Sequence, residues 1–264
     1  MSGNERRRGM VLQERDRHLL REFATARVID REQAKLLGGF HSTTRVNTRL
    51  LRLTEAGLLR RFRLGTLAGA AKSLYSLSEK GAQLVGVPYR GLRRRNDETL
   101  VADFFVEHQL AINEIYCALK YQPIPVPGVV FDRWIAFHET LTPALRLIPD
   151  GYTELRLPAE TVAMFLEIDL GHESRRVWKE KIRNYLQLAM SGEHERLFGQ
   201  SRFRVLVIAH SERRMQSIRR TVAPMIDKIF WFSSIEAIHR EGLWEAIWFR
   251  PTGNARQRLI EQTL

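Results

Sequence analysis

Apolar and polar positions recur at helical spacing in the first part of the chain. They predict a first helix that begins at Leu12, and they place Asp30 as the N-cap of a short second helix that ends at Gly38. Ser42 is placed to cap a third helix that ends at Gly57. The pattern therefore predicts three consecutive helices, and the third has a polar face rich in Thr, Asn and Arg.

Two segments of alternating residues follow and predict a β-hairpin. Residues 58–64 and 73–77 alternate between apolar and polar positions on either side of a small-residue turn at 65–71. Three helices and a hairpin in this order are typical of a winged helix-turn-helix domain. We predict such a domain over residues 11–86, after a disordered basic arm at residues 1–10.

The second part of the chain mixes helical and strand patterns. After a linker at 87–97, the predicted elements are a helix (98–120), three strands (129–137, 146–155 and 162–169), a helix (174–190), a strand (203–209), a helix (212–225) and a final strand (229–232). Three strands in a meander, followed by a helical crossover, predict a mixed sheet. The predicted fold class is α/β, with a domain at residues 98–264 whose central mixed sheet is flanked by helices.

The long helix at the start of this domain is predicted to bury one face. The residues expected on that face are Phe104, His108, Ala111, Ile115 and Ala118. A histidine in such a stripe is usually a hydrogen-bonded core residue. His108 and Glu107, which lies on the flank of the stripe, are both secondary candidates for site residues.

Charge is distributed unevenly between the two parts. The formal net charge is +12, and residues 1–98 contain 21 Lys/Arg against 10 Asp/Glu. Residues 99–264 contain 21 Lys/Arg against 20 Asp/Glu, so nearly all of the excess belongs to the first part. Such a basic excess indicates a polyanion as the partner of the first part. We expect that partner to be double-stranded DNA.

The stretch LRLTEAGLLRRF resembles the end of the recognition helix and the first wing strand of winged-helix DNA-binding domains. In such domains the third helix enters the major groove and the wing lies along the backbone. Arg45, Asn47 and Arg49 have the chemistry to read base edges, whereas the hairpin arginines would contact phosphates. The complete predicted set is Thr43, Thr44, Arg45, Asn47, Arg49, Arg52, Arg60, Arg61, Arg63 and Lys72. The alternative is a winged helix that contacts proteins and leaves its basic face in solvent.

The composition excludes several classes of protein. A single cysteine, Cys117, excludes an internal disulfide framework and a cysteine-cluster metal site. No apolar run approaches the roughly 20 residues that cross a bilayer, and residues 1–9 lack the apolar segment of a signal peptide. The sequence contains no glycine-rich nucleotide-binding loop. We therefore expect a cytoplasmic protein that does not associate with membranes.

Three acidic residues lie on the predicted strands of the second part. In the last strand of the meander, the period of two places Glu167 and Asp169 on one face. Asp150 lies on the neighbouring predicted strand, so we expect three carboxylates near one end of the sheet. Such hard oxygen ligands suit Mg²⁺ or Mn²⁺, which can stabilise charge at a scissile phosphate. On the next helix, Lys179 and Lys181 flank the buried stripe at similar angles, and the spacing does not choose between them.

These motifs resemble known families. The PDG motif at 149–151 and the EID motif at 167–169 resemble the PD-(D/E)xK nuclease superfamily. Asp169 stands where that superfamily usually has a lysine, and Lys181 fits a variant in which the lysine lies on the following helix. More narrowly, a winged helix followed by PDG, FLEIDLG and WKEKIRNYLQL resembles the replication-relaxation family, which is associated with plasmids and other mobile elements.

The nuclease resemblance implies roles for five residues. Asp150 and Glu167 would ligate Mg²⁺ or Mn²⁺, and Asp169 would ligate the metal or orient a water. Lys181 would stabilise the charge that develops on the phosphate. Glu107 would stand where many nucleases of this superfamily carry another acid.

These resemblances imply a sequence-specific double-stranded DNA-binding protein with a metal-dependent nuclease site. It would act in DNA processing, replication initiation or relaxosome assembly, with other replication or mobilisation proteins as partners. The alternative is a transcriptional regulator whose inactive nuclease-like domain serves dimerisation or partner binding. There Glu167 and Asp169 would form an ion network with cations, and the candidates are Arg175, Arg176 and Lys181. A homodimer fits either function, because winged-helix proteins often pair to read two half-sites.

Overall fold

A computed structural model describes residues 11–65, 72–91, 99–100 and 103–261, with the pair at 99–100 described by its backbone only. The chain divides into two compact units, Met1–Cys117 and Ala118–Leu264. The predicted basic arm, most of the predicted hairpin turn and most of the predicted linker lie outside the described residues. None of the described helices is long and apolar enough to cross a membrane.

The first unit combines helices with a small sheet. Its elements are α1 (Glu14–Ala26), β1 (Ile29–Asp30), α2 (Arg31–Leu37), α3 (Thr43–Glu55), β2 (Leu59–Leu64), β3 (Lys72–Leu77), α4 (Glu79–Val85), β4 (Thr99–Leu100) and α5 (Phe104–Tyr121). The strands form one sheet in the order β1-β3-β2-β4. β2 and β3 pair antiparallel, and β4 lies parallel to β2. The three predicted helices and the predicted hairpin are present, while α4 was not predicted.

Local signals explain the second and third helices. Asp30 caps α2, because its carboxylate accepts a 2.8 Å hydrogen bond from the backbone N–H of Gln33. α3 buries Val46, Leu50 and Leu53. Residues at this spacing share one helix face, so the opposite face of α3 is left to solvent.

α5 differs from its prediction at both its start and its buried face. β4 occupies the place of the predicted first turn. Phe104 was predicted to be buried but is 62% exposed, whereas Asn113 and Tyr116 are buried. The reason is tertiary, because Asn113 donates to the backbone C=O of Val28 at 2.6 Å and Tyr116 donates to Glu22 at 2.5 Å. These partners make the burial of a polar face favourable.

The second unit is built on a single seven-stranded sheet. Its elements after α5 are β5 (Val130–Ile135), β6 (Gly151–Arg156), β7 (Thr161–Asp169), α6 (Arg175–Met190), α7 (Glu193–Phe198), β8 (Arg204–Ala209), α8 (Glu212–Val222), β9 (Phe230–Ser234), α9 (Ile235–Glu241), β10 (Trp248–Phe249) and β11 (Arg256–Gln257). The strand order is β11-β10-β9-β8-β7-β6-β5. β5, β6 and β7 form the predicted antiparallel meander, and β7, β8 and β9 are parallel. The predicted α/β fold class, with a central mixed sheet flanked by helices, is confirmed.

Two strand predictions in this unit were wrong. The strand predicted at 146–155 begins only at Gly151. The segment at 229–232 was predicted to be the final strand, but β10 and β11 follow it. These two strands have two residues each. They are too short to show the alternation on which such a prediction depends.

The main core of the second unit lies where α6 and α8 cover the sheet. Its helical contribution comes from Trp178, Ile182 and Tyr185 of α6 and from Met215 and Ile218 of α8. The alternation along β7 turns Glu167 and Asp169 towards these helices, where they contact Tyr185 and Trp178. Two acidic side chains are therefore buried in a largely apolar layer.

Candidate functional site

The exposed face of α3 is a candidate binding surface in the first unit. Its exposed residues include Thr43, Thr44, Arg45, Asn47, Thr48 and Arg52. Arginine and asparagine can each form two hydrogen bonds with a base edge in the major groove. This face therefore keeps most of the predicted recognition residues in solvent.

Arg49 belongs to the interior of the first unit and not to this face. Its guanidinium binds both carboxylate oxygens of Asp16, with Nε 2.6 Å from Oδ1, and it donates to the backbone C=O of Val11 at 2.9 Å. Asp16 is fully buried, and the Arg49 side chain is only 12% exposed. These contacts link α3 to the start of α1. The prediction from the sequence was instead that the Arg49 guanidinium reads base edges.

The cations of the β2–β3 hairpin differ in their surroundings. Arg63 is exposed, and Arg60 and Arg61 are half-buried. Lys72 forms an ion pair of 2.5 Å with Asp30, the N-cap of α2. Because Asp30 already compensates the charge of Lys72, Arg63 is better placed than Lys72 to meet an approaching phosphate.

In the second unit, acidic residues and a lysine meet where β7 faces α6. The Lys181 ammonium lies 2.7 Å from Oε2 of Glu167 and 2.6 Å from Oε1 of Glu173. The Tyr185 hydroxyl donates to the other oxygen of Glu167 at 2.5 Å. Lys179 is exposed and lines a separate surface cleft. The structure therefore selects Lys181 as the lysine of this group, which we call the β7–α6 cluster and define as Asp150, Glu167, Glu173, Lys181 and Tyr185.

Asp150 reaches the cluster from the segment before β6. Its carboxylate accepts a 2.6 Å hydrogen bond from the backbone N–H of Ile168, and its own N–H donates to the C=O of Leu166 at 3.0 Å. The packing leaves no room for a side chain at Gly151 of the PDG motif, because a Cβ there would lie 2.4 Å from the Trp134 ring. The motif therefore fixes Asp150 to the backbone of β7, beside Glu167.

Burial controls protonation in the cluster. It raises the pKa of Glu167 to about 7, although the charge of Lys181 opposes this shift, and the charge of Asp150 adds to it. Burial also disfavours the charged form of Lys181, but Glu167, Glu173 and Asp150 outweigh burial and raise the pKa of the lysine. Burial therefore favours the protonated form of Glu167, while the surrounding acids keep Lys181 a cation.

Asp169 has a separate set of partners. Arg214 of α8 donates to both of its oxygens, with Nε at 2.9 Å and Nη2 at 2.7 Å. The indole N–H of Trp178 and the backbone N–H of Gly171 donate at 2.7 Å and 2.6 Å. Burial disfavours the carboxylate, but these hydrogen bonds outweigh it and lower the pKa of Asp169. Arg214 was missed in the sequence because no local pattern links it to β7.

Of the three predicted metal ligands, Asp150 and Glu167 lie side by side, whereas Asp169 is engaged by Arg214. Both oxygens of Asp169 are bound by Arg214, and both oxygens of Glu167 accept hydrogen bonds. Among the described residues, no group of three or more His, Cys, Asp or Glu side chains could hold a metal ion. Glu107 is exposed on α5 in the first unit. These side chains therefore do not fit the three-carboxylate Mg²⁺ or Mn²⁺ site that the resemblance implies.

The predicted alternative, an ion network, is closer to the observed geometry. Lys181 pairs with Glu167 as that prediction requires. Arg214 takes the place expected for Arg175 or Arg176, both of which are exposed. Each of the two acids on β7 is therefore neutralised by a cation from a helix that covers the sheet.

Acidification is expected to remove the stability that the pair of Asp169 and Arg214 contributes. Because the pKa of Asp169 is lowered from its ordinary value of 3.8, this contribution is present above that value and is lost as pH falls through the folded-state pKa. The free energy of unfolding in urea, measured from neutral pH down to about pH 3, should fall more steeply for wild type than for Asp169→Asn. A difference between the two proteins that does not change with pH would contradict this assignment.

A family model described as replication-relaxation matches residues 20–200. The match extends from α1 to the end of α7 and so includes both α3 and the β7–α6 cluster. It confirms the resemblance to the replication-relaxation family. The searches of curated proteins and of solved structures each found no match.

Proposed function

This chain belongs to the replication-relaxation family, and on that premise we propose that its first unit binds double-stranded DNA in a sequence-specific manner. Membership suggests a role in plasmid or mobile-element DNA processing, with DNA or replication-related proteins as partners. We assign this DNA binding to the first unit. DNA binding would account for the basic excess of residues 1–98, which contain 21 Lys/Arg against 10 Asp/Glu.

The observation that carries this proposal is the amphipathic character of α3. The helix buries Val46, Leu50 and Leu53 and keeps Arg45, Asn47 and Arg52 exposed on the other side. An arginine can bind O6 and N7 of guanine, and an asparagine can bind N6 and N7 of adenine. In this proposal, residues 11–86 are a winged helix-turn-helix domain, with α3 as the recognition helix and the β2–β3 hairpin as the wing.

The hairpin would add affinity without reading sequence. Arg63 is exposed on β2, where an arginine in a wing would contact phosphate oxygens. Such contacts set the orientation of the protein on the duplex, while base contacts from α3 give specificity. The two sets of cations therefore have different expected effects when they are removed.

Replacement of Arg45 by Ala is expected to weaken binding to a specific duplex by about 1–3 kcal/mol, or roughly 5- to 150-fold, because a base contact is lost. The duplex would be selected by wild-type protein from a random library, and affinity would be measured by fluorescence anisotropy. The matched control is Arg21→Ala, which removes a half-exposed arginine from α1. Equal affinities of the two variants, or no saturable duplex binding by wild type, would contradict the proposal.

A second candidate function is the phosphodiester cleavage that the PD-(D/E)xK resemblance implies. The observation in its favour is that Lys181 lies 2.7 Å from Glu167, with Asp150 held beside them. Against it stands the third carboxylate, because Asp169 is bound by Arg214. We therefore propose that the β7–α6 cluster holds α6 on the sheet and that the second unit serves assembly or partner binding. The two functions give Lys181 different roles, as a buried counter-charge in one and as a catalytic residue in the other.

A further inference from the structure

A cationic cleft lies on the surface of the second unit, where α6 and α8 meet. It has a volume of about 510 Å³, and its lining residues are Arg175, Lys179, Arg183, Arg220, Thr221, Pro224 and Met225. The four cations are all exposed. We call this surface the α6–α8 cleft.

The side chains that line this cleft carry positive charge only. Among the described residues, no acidic side chain lines it. Other cations of this unit are placed next to acids, as in the ion pairs of Lys181, Arg196, Arg214 and Arg258. Residues 99–264 contain almost equal numbers of cations and acids. The positive charge of the cleft therefore comes from the placement of four cations at one site and not from an excess of cations in the whole unit.

The geometry of α6 explains how three of these cations form a row. Arg175, Lys179 and Arg183 are spaced by four residues, so they follow one another along one side of the helix. At 1.5 Å per residue the row is about 12 Å long. The buried face of α6, with Trp178 and Ile182, packs on the core and turns the row outward. Arg220 adds a fourth cation from α8.

We propose that the α6–α8 cleft is a second DNA-contact surface, which binds the phosphate backbone of a duplex without reading its sequence. The proposal rests on the proposed function of the chain as a DNA-binding protein. One strand of B-DNA presents a phosphate about every 3.4 Å along the helix axis. A row of about 12 Å can therefore approach about three phosphates. The nearly neutral second unit thereby holds DNA through a local surface, while α3 supplies specificity.

The test is the salt dependence of DNA binding by the full-length chain. The variant Arg175→Ser/Lys179→Ser/Arg183→Ser should reduce the slope of log K against log salt by about 2 to 3, because each lost phosphate contact contributes about 0.9. Its affinity should fall by the same factor for the selected duplex and for an unrelated duplex. A second variant, Arg220→Ser on α8, should reduce the slope by about 0.9.

The matched control removes three cations from other places on the same unit. The variant Arg156→Ser/Arg202→Ser/Lys228→Ser causes the same change in net charge and involves residues that are also exposed. Its slope should stay close to that of wild type. Thermal unfolding of all variants should show unchanged midpoints, since every substituted side chain is on the surface.

The outcomes separate this proposal from the one on which it rests. If both triple variants lower the slope equally while wild type still binds duplex DNA, the cleft is not a DNA-contact surface and the function of α3 stands. If wild type shows no salt-dependent duplex binding, both proposals fail. If the cleft variant loses binding to phosphatidylserine vesicles but not to duplex DNA, the surface binds membranes and the proposal is overturned.

Discussion

Replacing Arg49 by Ala should destabilise the first unit by about 3–5 kcal/mol, because it leaves a buried carboxylate without its cation. Asp16 is fully buried, and Arg49 contacts both of its oxygens. The same arginine also binds the backbone C=O of Val11, so the variant loses the link between α3 and the start of α1. Urea unfolding of the full-length chain, followed by circular dichroism, would measure the loss in free energy of unfolding.

Arg45→Ala is the natural control, since it lies one turn earlier on α3 and is exposed. It should reduce DNA affinity with little change in stability, as expected for surface substitutions. The double variant Asp16→Leu/Arg49→Leu should recover part of the loss, because an apolar pair of similar size removes the uncompensated charge. Normal stability of Arg49→Ala, combined with reduced DNA affinity, would instead support the base-reading role predicted from the sequence.

Replacing Lys181 by Met is the second substitution with a large expected effect. Glu167 is fully buried, and Lys181, itself 18% exposed, is the cation that contacts it. Loss of the ammonium should raise the pKa of Glu167 further, because burial then acts without that counter-charge. The free energy of unfolding should fall, and the loss should grow as pH rises, because Glu167 then ionises without its cation. Lys179→Met, on the same helix but exposed, should leave stability unchanged.

The same variants distinguish the two candidate functions of the second unit. If the cluster is structural, wild type, Lys181→Met and Glu167→Gln should leave supercoiled plasmid intact in the presence of Mn²⁺. Nicking by wild type that is lost in a folded Glu167→Gln variant would establish the cleavage function and assign Lys181 to it. Nicking that persists in Glu167→Gln would instead indicate a contaminating nuclease.

The longer helices and strands could be predicted because they depend on contacts that are close in sequence. The N-cap Asp30 and the apolar positions of α3 lie within a few residues of the backbone that they stabilise. The meander and crossover of the second unit were likewise visible in residue periodicity, and its mixed sheet is confirmed. Elements that were missed, such as β10 and β11, are too short to carry a period.

The contacts of charged side chains could not be predicted in the same way. Arg49 and Asp16 are 33 residues apart in the chain, and Arg214 and Asp169 are 45 residues apart. An arginine has the same local signature whether it faces solvent or a buried acid. The pairing depends on which second element the fold brings close. The periodicity of residues along one element carries no information about that.

The sequence by itself determined most of the longer helices and strands, the charge difference between the two parts and the single face of β7 that carries Glu167 and Asp169. The tertiary structure alone decided that Arg49 is internal, that Lys181 rather than Lys179 joins the cluster, and that Asp169 belongs to Arg214. The physical reason is desolvation. A buried carboxylate stays charged only with a cation or hydrogen-bond donors beside it, and the cation is set by where Asp16 of α1 meets α3 and by the packing of α6 and α8 on the sheet.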